Sequence, residues 1–343
     1  MVVLPGPARR PTLSDVARLA RVSIATASRA LSNPAMVSEA SRAAVAAAVE
    51  SAGYRPNLLA RSLRTQSARA IVVLVPGLEN PFYPEIIRGL EGAARHRGYS
   101  LMLGLTLHDE AVEMSYLQMV HNQRADGLMI LDGGLKHVLR AGRDIGVPTV
   151  QVVERLRGAD LPWVGIDDRA ASCKATRHLI DLGHKRIGHL SGLARYYVTP
   201  ERIAGYRAAL KAAGLGYDAE LVEPGDFTSP GGEAAAQKLM ALANPPTALF
   251  CGNDDSALGA LRYLRGAGIR VPQDVSIVGI DDTHLASSTE PPLTTLRQPR
   301  YEIGIVAMTM LLDIISGKNP RPADQTLPVD MILRESTAPA RGR

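Results

Sequence analysis

The spacing of apolar residues changes character near residue 70. Upstream, apolar positions recur every three or four residues and predict short helices at 13–20, 24–31 and about 40–51. Downstream, short β-branched runs alternate with amphipathic segments, a pattern typical of parallel sheets covered by helices. The predicted strands are 70–75, 101–105, 127–131, 186–190, 248–251 and 275–280, and the predicted helices are 84–97, 110–123, 136–145, 200–213 and 254–266.

The first two predicted helices have the pattern of a helix-turn-helix. A turn of three residues ending at Ser23 separates them, and the Ser23 hydroxyl can cap the second helix. Small Ala17 allows close helix contact, and one apolar face is predicted from Val16, Leu19, Val22, Ala27 and Leu31. In such a motif the second helix enters the major groove of DNA. A helical hairpin used only for packing is the alternative.

Positive charge is concentrated in the same region. Residues 1–67 contain nine arginines, no lysine and three acids, a net charge of +6 against +5 for the whole chain of 343 residues. A basic head on a near-neutral body is expected when only the head meets phosphates. We expect a DNA-binding domain at 1–56, a hinge or linker at 57–69 with a marginal short helix, and a two-lobed domain at 70–343.

The composition favours a protein of the cytoplasm. Cys173 and Cys251 lie in apolar segments without metal-ligand spacing, as buried free thiols would. No signal peptide is evident, because prolines interrupt the first twelve residues, and no apolar run approaches membrane-spanning length. We therefore expect no cofactor, no bound metal and no membrane partner.

The body contains an internal repeat. A shift of 116 residues superimposes Pro84, Glu85, Ile87, Gly89, Ala93 and Gly98 on Pro200, Glu201, Ile203, Gly205, Ala209 and Gly214. The repeat predicts two similar lobes with a cleft between them. Ligands of open parallel sheets bind beyond the carboxyl ends of the strands. Within the repeat, Arg202 replaces the aliphatic Ile86, which suggests a ligand-binding role for this arginine.

Almost the whole chain resembles the lactose-repressor (LacI/GalR) family of bacterial transcription regulators. The stretches that carry the resemblance are TLSDVARLARVSIATASRALSNP, GYRPNLLARSL, LVPGLENPFYPEIIRGLE, HLIDLGHKRIGHLSG, GNDDSALGAL and GIRVPQDVSIVGIDDTHLASSTEPPLTTLRQP. The resemblance implies a homodimer with an N-terminal helix-turn-helix head and a two-lobed, periplasmic-binding-protein-like (type I) effector domain.

The resemblance also implies the DNA-contacting residues. Ile24, Ala25 and Arg29 would occupy the recognition positions of the second helix, with Arg29 contacting a guanine edge or, alternatively, a phosphate. The other expected contacts of the head are Thr12, Leu13, Ser23, Thr26 and Ser28. In the hinge, Leu63 would wedge into the minor groove, flanked by Asn57, Ala60 and Arg61; the alternative is that Leu63 packs the linker onto the body.

In the cleft, the resemblance implies that Arg202 and Asp281 hydrogen-bond a small polar, sugar-like effector. The other expected effector-binding residues are Asn80, Phe82, Tyr83, Phe227 and Asn253. Core packing is the alternative for each aromatic residue. The sequence departs from the family's usual pattern at VPTVQVVERL, where Val153 replaces an acid that commonly follows the fourth strand. Glu154, one position later, is the alternative for this contact by a shift in register.

Other functional classes fit less well. An enzyme would need a nucleophile elbow, a phosphate-cradling loop or metal-type histidine pairing, and none appears. A transport-linked sugar-binding protein would need an export signal and no basic head, and an architectural DNA protein would not need the lobes. We expect a homodimeric, nucleoid-associated repressor of a pseudo-palindromic operator, controlled by a carbohydrate effector or, alternatively, by a nucleobase or a phosphorylated partner.

Overall fold

The computed structural model describes residues 11–55, 67–107, 109–133, 145–156 and 158–341. The chain divides into two compact units between Ser67 and Ala68. We call the first unit the head and the second unit the body. The predicted hinge contacts Asn57, Ala60, Arg61 and Leu63 lie outside the described residues, as does most of the helix predicted at 136–145.

The head is built from three short helices with hydrogen-bonded N-caps. They are α1 (Leu13–Leu19), α2 (Ile24–Ser32) and α3 (Glu39–Ala52), with a 3-10 turn at Pro34–Met36. Thr12 and Asp15 form a reciprocal capping box on α1, and Ser23 caps α2 as predicted. The third helix ends at Gly53, whose φ of 61° suits a residue without a Cβ atom.

The apolar face predicted for the head is wrong at two positions. Leu19 is 50% exposed and Leu31 is 37% exposed, whereas Ala30 is buried. Ala27 and Ala30, three residues apart, form the face of α2 that packs against α1 and α3, and Leu31 lies beside that face. The buried core consists of Val16, Ala17, Ala27, Ala30, Val45 and Ala48.

The body consists of two lobes, each with a six-stranded sheet. Lobe 1 begins with β1 (Ala70–Val75), α4 (Phe82–His96), β2 (Ser100–Leu105), α5 (Glu110–Met119), a π-helical turn (Val120–Arg124), β3 (Gly127–Ile130), β4 (Thr149–Val152) and β5 (Trp163–Ile166). Lobe 2 contains α6 (Asp168–Asp181), β6 (Ile187–Ser191), α7 (Val198–Ala212), a 3-10 turn (Ala219–Leu221), β7 (Val222–Pro224), α8 (Ser229–Met240), β8 (Ala248–Cys251), α9 (Asp254–Gly266), β9 (Ser276–Asp281) and β10 (Thr294–Arg297). Then α10 (Arg300–Ile315) and β11 (Gln325–Leu327) return to lobe 1, and β12 (Asp330–Ile332) completes lobe 2.

The strand orders of the two sheets correspond to each other. Lobe 1 has the order β2-β1-β3-β4-β5-β11 and lobe 2 the order β7-β6-β8-β9-β10-β12. All neighbours are parallel except β10 and β12. The parallel α/β fold is as predicted, and the chain crosses between lobes three times, after β5, after β10 and between β11 and β12.

The internal repeat corresponds to two equivalent helices. The helix α4 spans residues 82–96 and α7 spans 198–212, an offset of 116 at both ends. Each crosses a second helix closely at its repeated glycine: an added Cβ on Gly89 would lie 2.1 Å from the carbonyl oxygen of Tyr301 in α10, and one on Gly205 would lie 2.2 Å from that of Arg169 in α6. The helix pairs α4–α10 and α7–α6 therefore cross at Gly89 and Gly205.

Candidate functional site

The outer surface of α2 presents the predicted recognition positions. Ile24, Ala25 and Arg29 are all exposed, while Ala27 and Ala30 on the same helix face the core. Residues four apart lie on one side of a helix, so Ala25 and Arg29 share a solvent-facing surface. This arrangement leaves the Arg29 guanidinium free of core packing.

The smaller polar residues of the head serve its own helices. The Ser23 hydroxyl accepts the backbone N–H of Thr26 at 3.0 Å and pairs with the Thr26 hydroxyl at 2.8 Å. The Thr12 hydroxyl donates to Asp15 at 2.7 Å. Leu13 is half-buried against the head core, and Ser28 is half-buried on α2. Any contact of these hydroxyls with DNA would be added to their capping role.

The predicted effector residues lie where strands end. Asn80, Phe82 and Tyr83 follow β1, whereas Phe227 follows β7. Asn253 follows β8, Asp281 ends β9, and Arg202 lies near the start of α7. Parallel strands share the edge at which their carboxyl ends meet, so residues from several segments converge there.

Arg202 is buried and hydrogen-bonded within lobe 2. Its Nε donates to Asp168 Oδ1 at 2.7 Å, its Nη1 donates to the carbonyl oxygen of Gly252, and its guanidinium lies 5.4 Å from the centre of the Phe227 ring. Burial raises the pKa of Asp168, and the adjacent Arg202 guanidinium offsets only part of this rise. Arg202 and Asp168 therefore form a buried ion pair.

Asp281 is buried beside Arg202. It accepts a hydrogen bond from Gln298 Nε2 at 2.8 Å. Burial raises the pKa of Asp281 to about 7, against the opposing effect of Arg202 and Arg300. Its φ of 126° is rare for a residue with a side chain, and such strained backbone clusters at ligand sites.

Asn253 and Phe227 are held together by hydrogen bonding. Asn253 Oδ1 accepts the N–H of Ser256 at 2.9 Å and so caps α9, while its Nδ2 donates to the Phe227 carbonyl oxygen at 3.0 Å. Phe227 has a φ of 67°, is half-buried, and its ring centre lies 5.7 Å from that of Tyr196. Asn253 therefore orients the loop that carries the aromatic ring.

The three predicted residues after β1 differ in role. Phe82 is buried in the core of lobe 1, which favours the packing alternative for this ring. Asn80 Oδ1 accepts the backbone N–H of Phe82 at 2.9 Å, a local turn contact. Tyr83 faces the acidic cleft instead: burial raises the pKa of its phenol well above the usual value, and the carboxyl groups of Glu154, Asp132 and Asp281 raise it further.

Sequence reasoning missed Asp132 and Tyr197, and offered Glu154 only as a substitute, by a shift in register, for the acid that is absent at position 153. Glu154 Oε2 accepts the backbone N–H of Tyr197 at 2.8 Å, a hydrogen bond from lobe 1 to lobe 2. Burial raises the pKa of Glu154 to about 7. Asp132, after β3, accepts a hydrogen bond from Thr106. Asp132 and Glu154 lie just after β3 and β4, and this position was the signal that could have identified them as site residues.

Two further properties belong to the part of the chain that the structure describes. In this part of the chain no three histidine, cysteine or acidic side chains are grouped so as to hold a metal ion. None of its helices is long and apolar enough to cross a membrane.

Comparisons with known proteins place the chain in a family. Residues 12–57 match the family described as bacterial regulatory proteins, lacI family, and residues 176–337 match the periplasmic binding protein-like domain. The HTH-type transcriptional repressor CytR of Escherichia coli (strain K12) is 38% identical over 327 residues, covering 95% of this chain and 96% of that relative.

Solved structures of similar fold cover both units. The transcriptional regulator CelR–cellobiose complex has a TM-score of 0.74 and 34% identity, covering 95% of this chain and 100% of that one. The Lac repressor dimer bound to operator and the anti-inducer ONPF has a TM-score of 0.83 and 27% identity, and the match covers 96% of this chain and 100% of that one.

A helix-turn-helix head joined to a two-lobed α/β body defines a transcription regulator that responds to a small molecule. The chain belongs to the LacI family of bacterial regulatory proteins. It is a DNA-binding regulator and not an enzyme.

Proposed function

We propose that this protein is a homodimeric repressor of a pseudo-palindromic operator, released or strengthened by a small polar effector bound between the lobes. We further propose that the effector is a sugar or sugar derivative and that the protein acts in the cytoplasm on the nucleoid. The observation that carries the effector proposal is the convergence of Arg202, Asp281 and the Phe227 ring at one edge of lobe 2. Polar groups beside an aromatic face are typical of sites for small polar ligands.

On the DNA side, we propose that Arg29 contacts a base edge, with Ile24 and Ala25 facing the groove and Thr12, Leu13, Ser23, Thr26 and Ser28 near the phosphates. In the hinge, we propose Leu63 as the minor-groove wedge, with Asn57, Ala60 and Arg61 beside it. The exposed face of α2 supports the first of these assignments. The hinge assignment rests on the sequence resemblance.

The DNA contacts are tested with Arg29→Ala. An operator is first selected from random DNA with the full chain, and affinities are then measured by fluorescence anisotropy. Loss of a bidentate base contact should weaken binding by about 1–3 kcal/mol and relax specificity at one position of each half-site. Arg42→Ala, an exposed arginine on α3, is the control. Equal loss on every sequence would instead assign Arg29 to a phosphate.

The effector site is tested with Asp281→Asn. A thermal-shift screen of sugars first identifies a ligand, which stabilises the folded protein by mass action. We expect Asp281→Asn to abolish the effect of that ligand on operator affinity and to leave operator binding itself intact. An unchanged response would place the effector elsewhere. A screen in which no ligand alters operator affinity would contradict the proposal of control by a sugar.

A further inference from the structure

The chain enters the body through Ala68 and Arg69, whose backbone is held by one carboxylate. Asp126 Oδ1 accepts the N–H of Ala68 at 2.6 Å, and its Oδ2 accepts the N–H of Arg69 at 3.0 Å. The N–H of Asp126 in turn donates to the carbonyl oxygen of Ala70 at 2.8 Å. Hydrogen bonds to a carboxylate are roughly twice as strong as those between neutral groups. We call this arrangement of Asp126 with Ala68 and Arg69 the entry clamp.

The backbone at Arg69 is strained, and contacts from a second strand hold it as well. Arg69 has a φ of 51°, in the left-handed region that residues with a side chain rarely adopt. Its carbonyl oxygen accepts the N–H of Ser100 at 2.9 Å, and its guanidinium lies 5.0 Å from the centre of the Tyr99 ring. Such a conformation persists only where its surroundings impose it, and it is common at functional positions. The start of β2 and the residue before β3 impose it here.

The entry clamp acts outside the ladder that joins the strands. The ladder between β1 and β3 runs from Ile71, paired with Gly127, to Leu74, paired with Ile130. The Asp126 carboxylate instead holds the two residues before β1, where the chain arrives from the head. These residues are at the surface of the body. The clamp therefore fixes how the chain emerges from the body and not how the strands pair.

We propose that Asp126 is a positioning residue for operator binding: it fixes the direction in which each linker leaves the body, and so the separation at which two heads can bind. The inference rests on the proposed homodimer on a pseudo-palindromic operator, because only two heads on one dimer need a fixed separation. It goes beyond that proposal by assigning the separation to a carboxylate of the body. Tethered modules bind a two-part site tightly only when the tether suits the distance between its parts.

The test compares three DNA duplexes: the operator selected with the full chain, a single half-site, and the operator lengthened at its centre by about 2 base pairs. Fluorescence anisotropy measures the affinity of the full chain for each. The wild type should prefer the selected operator to the other two by at least about 100-fold.

In Asp126→Ala, affinity for the selected operator should fall at least about tenfold, while affinity for the half-site should stay within about twofold of wild type. The loss of affinity on lengthening the operator should also become smaller by at least about tenfold, because looser linkers tolerate other separations. A protein that is merely destabilised would lose the same fraction of its binding to all three duplexes. The ratios between duplexes therefore report positioning.

Asp109→Ala is the matched control. The Asp109 carboxylate also accepts two successive backbone N–H groups in lobe 1, those of Ala111 and Val112. It does so after the end of β2, at the edge of the parallel sheet opposite the start of β1. Asp109→Ala should leave both ratios unchanged, and circular dichroism establishes that the variants are folded. If Asp126→Ala does not fold, Asp126→Asn keeps one acceptor oxygen, and its ratios should change in the same direction by at least about threefold.

Two results would overturn the inference alone: equal losses on the operator and the half-site in the Asp126 variant, or a preference for operator spacing that matches the wild type. Equal changes in the Asp109 control would overturn it too. A wild type that binds the half-site as tightly as the operator would contradict the proposed dimer, and the inference with it. Whether the wild type or only the variant departs from expectation therefore separates the two proposals.

Discussion

At the scale of single residues, Arg202 shows how one substitution in a repeated framework replaces apolar packing with a buried ion pair. Its counterpart Ile86 is fully buried in the core of lobe 1, whereas Arg202 is buried with Asp168 as its partner. Removing one member of a buried pair typically costs 3–5 kcal/mol, because the other charge is left without compensation. The arginine is thus as constrained as the isoleucine, but its contacts are polar and directional.

Sequence reasoning selected Arg202 and Asp281, offered Glu154 only as a substitute, and missed Asp132, for a physical reason. Arg202 interrupts a periodic pattern, so comparison of the two halves reveals it. Glu154 acquires its position from the positive φ of Val153 and from a hydrogen bond to Tyr197 in the other lobe. Neither the turn nor the contact between lobes leaves a periodic signal in the chain.

The raised pKa of Glu154 predicts a pH-dependent stability. Its pKa of about 7 in the folded state exceeds the ordinary value of 4.5, so its stabilising protonation is complete below about pH 4.5 and is lost as the pH rises through 7. Between pH 5.5 and 8 the wild type should lose roughly 2 kcal/mol more unfolding free energy than Glu154→Gln. Urea denaturation monitored by Trp163 fluorescence measures this difference, and an equal change in both proteins would contradict it.

At the scale of elements, the crossing of α4 and α10 depends on two glycines. An added Cβ on Gly304 would lie 2.2 Å from the carbonyl oxygen of Ile86, and one on Gly89 would meet Tyr301. The backbones of the two helices are therefore in direct contact at Gly89 and Gly304. A side chain at either position would separate the helices.

We expect Gly304→Ala to lower the unfolding free energy by about 1–3 kcal/mol or more, because backbone atoms cannot yield as side chains do. The matched control is Gly92→Ala on α4, where an added Cβ would lie 3.6 Å from the Tyr301 hydroxyl, an ordinary contact. That change should stabilise the helix by about 0.5–1 kcal/mol. Thermal and urea unfolding distinguish the two, and similar effects would refute the close crossing.

Periodicity in the sequence explains which elements could be predicted and which could not. The central strands β1, β8 and β9 are apolar and bounded by turns, and their predicted limits agree with the structure within one residue. The helix α10 was missed because it is apolar on most sides, as expected where it packs against both α4 and the sheet of lobe 1. The edge strands β7, β11 and β12 have three residues each, too few to show alternation.

At the scale of the whole body, Arg300 joins the lobes. It lies at the start of α10, and its guanidinium donates to the carbonyl oxygen of Pro81 in lobe 1 at 3.2 Å and to that of Asp282 in lobe 2 at 2.8 Å. Charged donors to backbone oxygens form comparatively strong hydrogen bonds. The arginine therefore resists separation of the lobes at the edge of the cleft.

Arg300→Gln should lower the unfolding free energy by about 1.5–3 kcal/mol and speed hydrogen exchange around residues 81–83 and 281–283. The control is Arg297→Gln, because Arg297 is exposed and pairs with Asp282 inside lobe 2 alone. Its loss should cost under about 1 kcal/mol. Exchange that is equally fast in both variants would show that Arg300 does not hold the lobes together.

The three crossings between lobes also bear on the order in which the ribosome completes the protein. Lobe 1 takes α10 and β11 from residues beyond 299, so its sheet lacks one covering helix until most of lobe 2 has been synthesised. Until α10 emerges, the apolar side chains of Met129, Val150 and Val164 on β3, β4 and β5 lack the cover it provides. Domains generally assemble as units during translation. Here neither half of the body can complete its sheet until the final segment of the chain, from α10 to β12, has been synthesised.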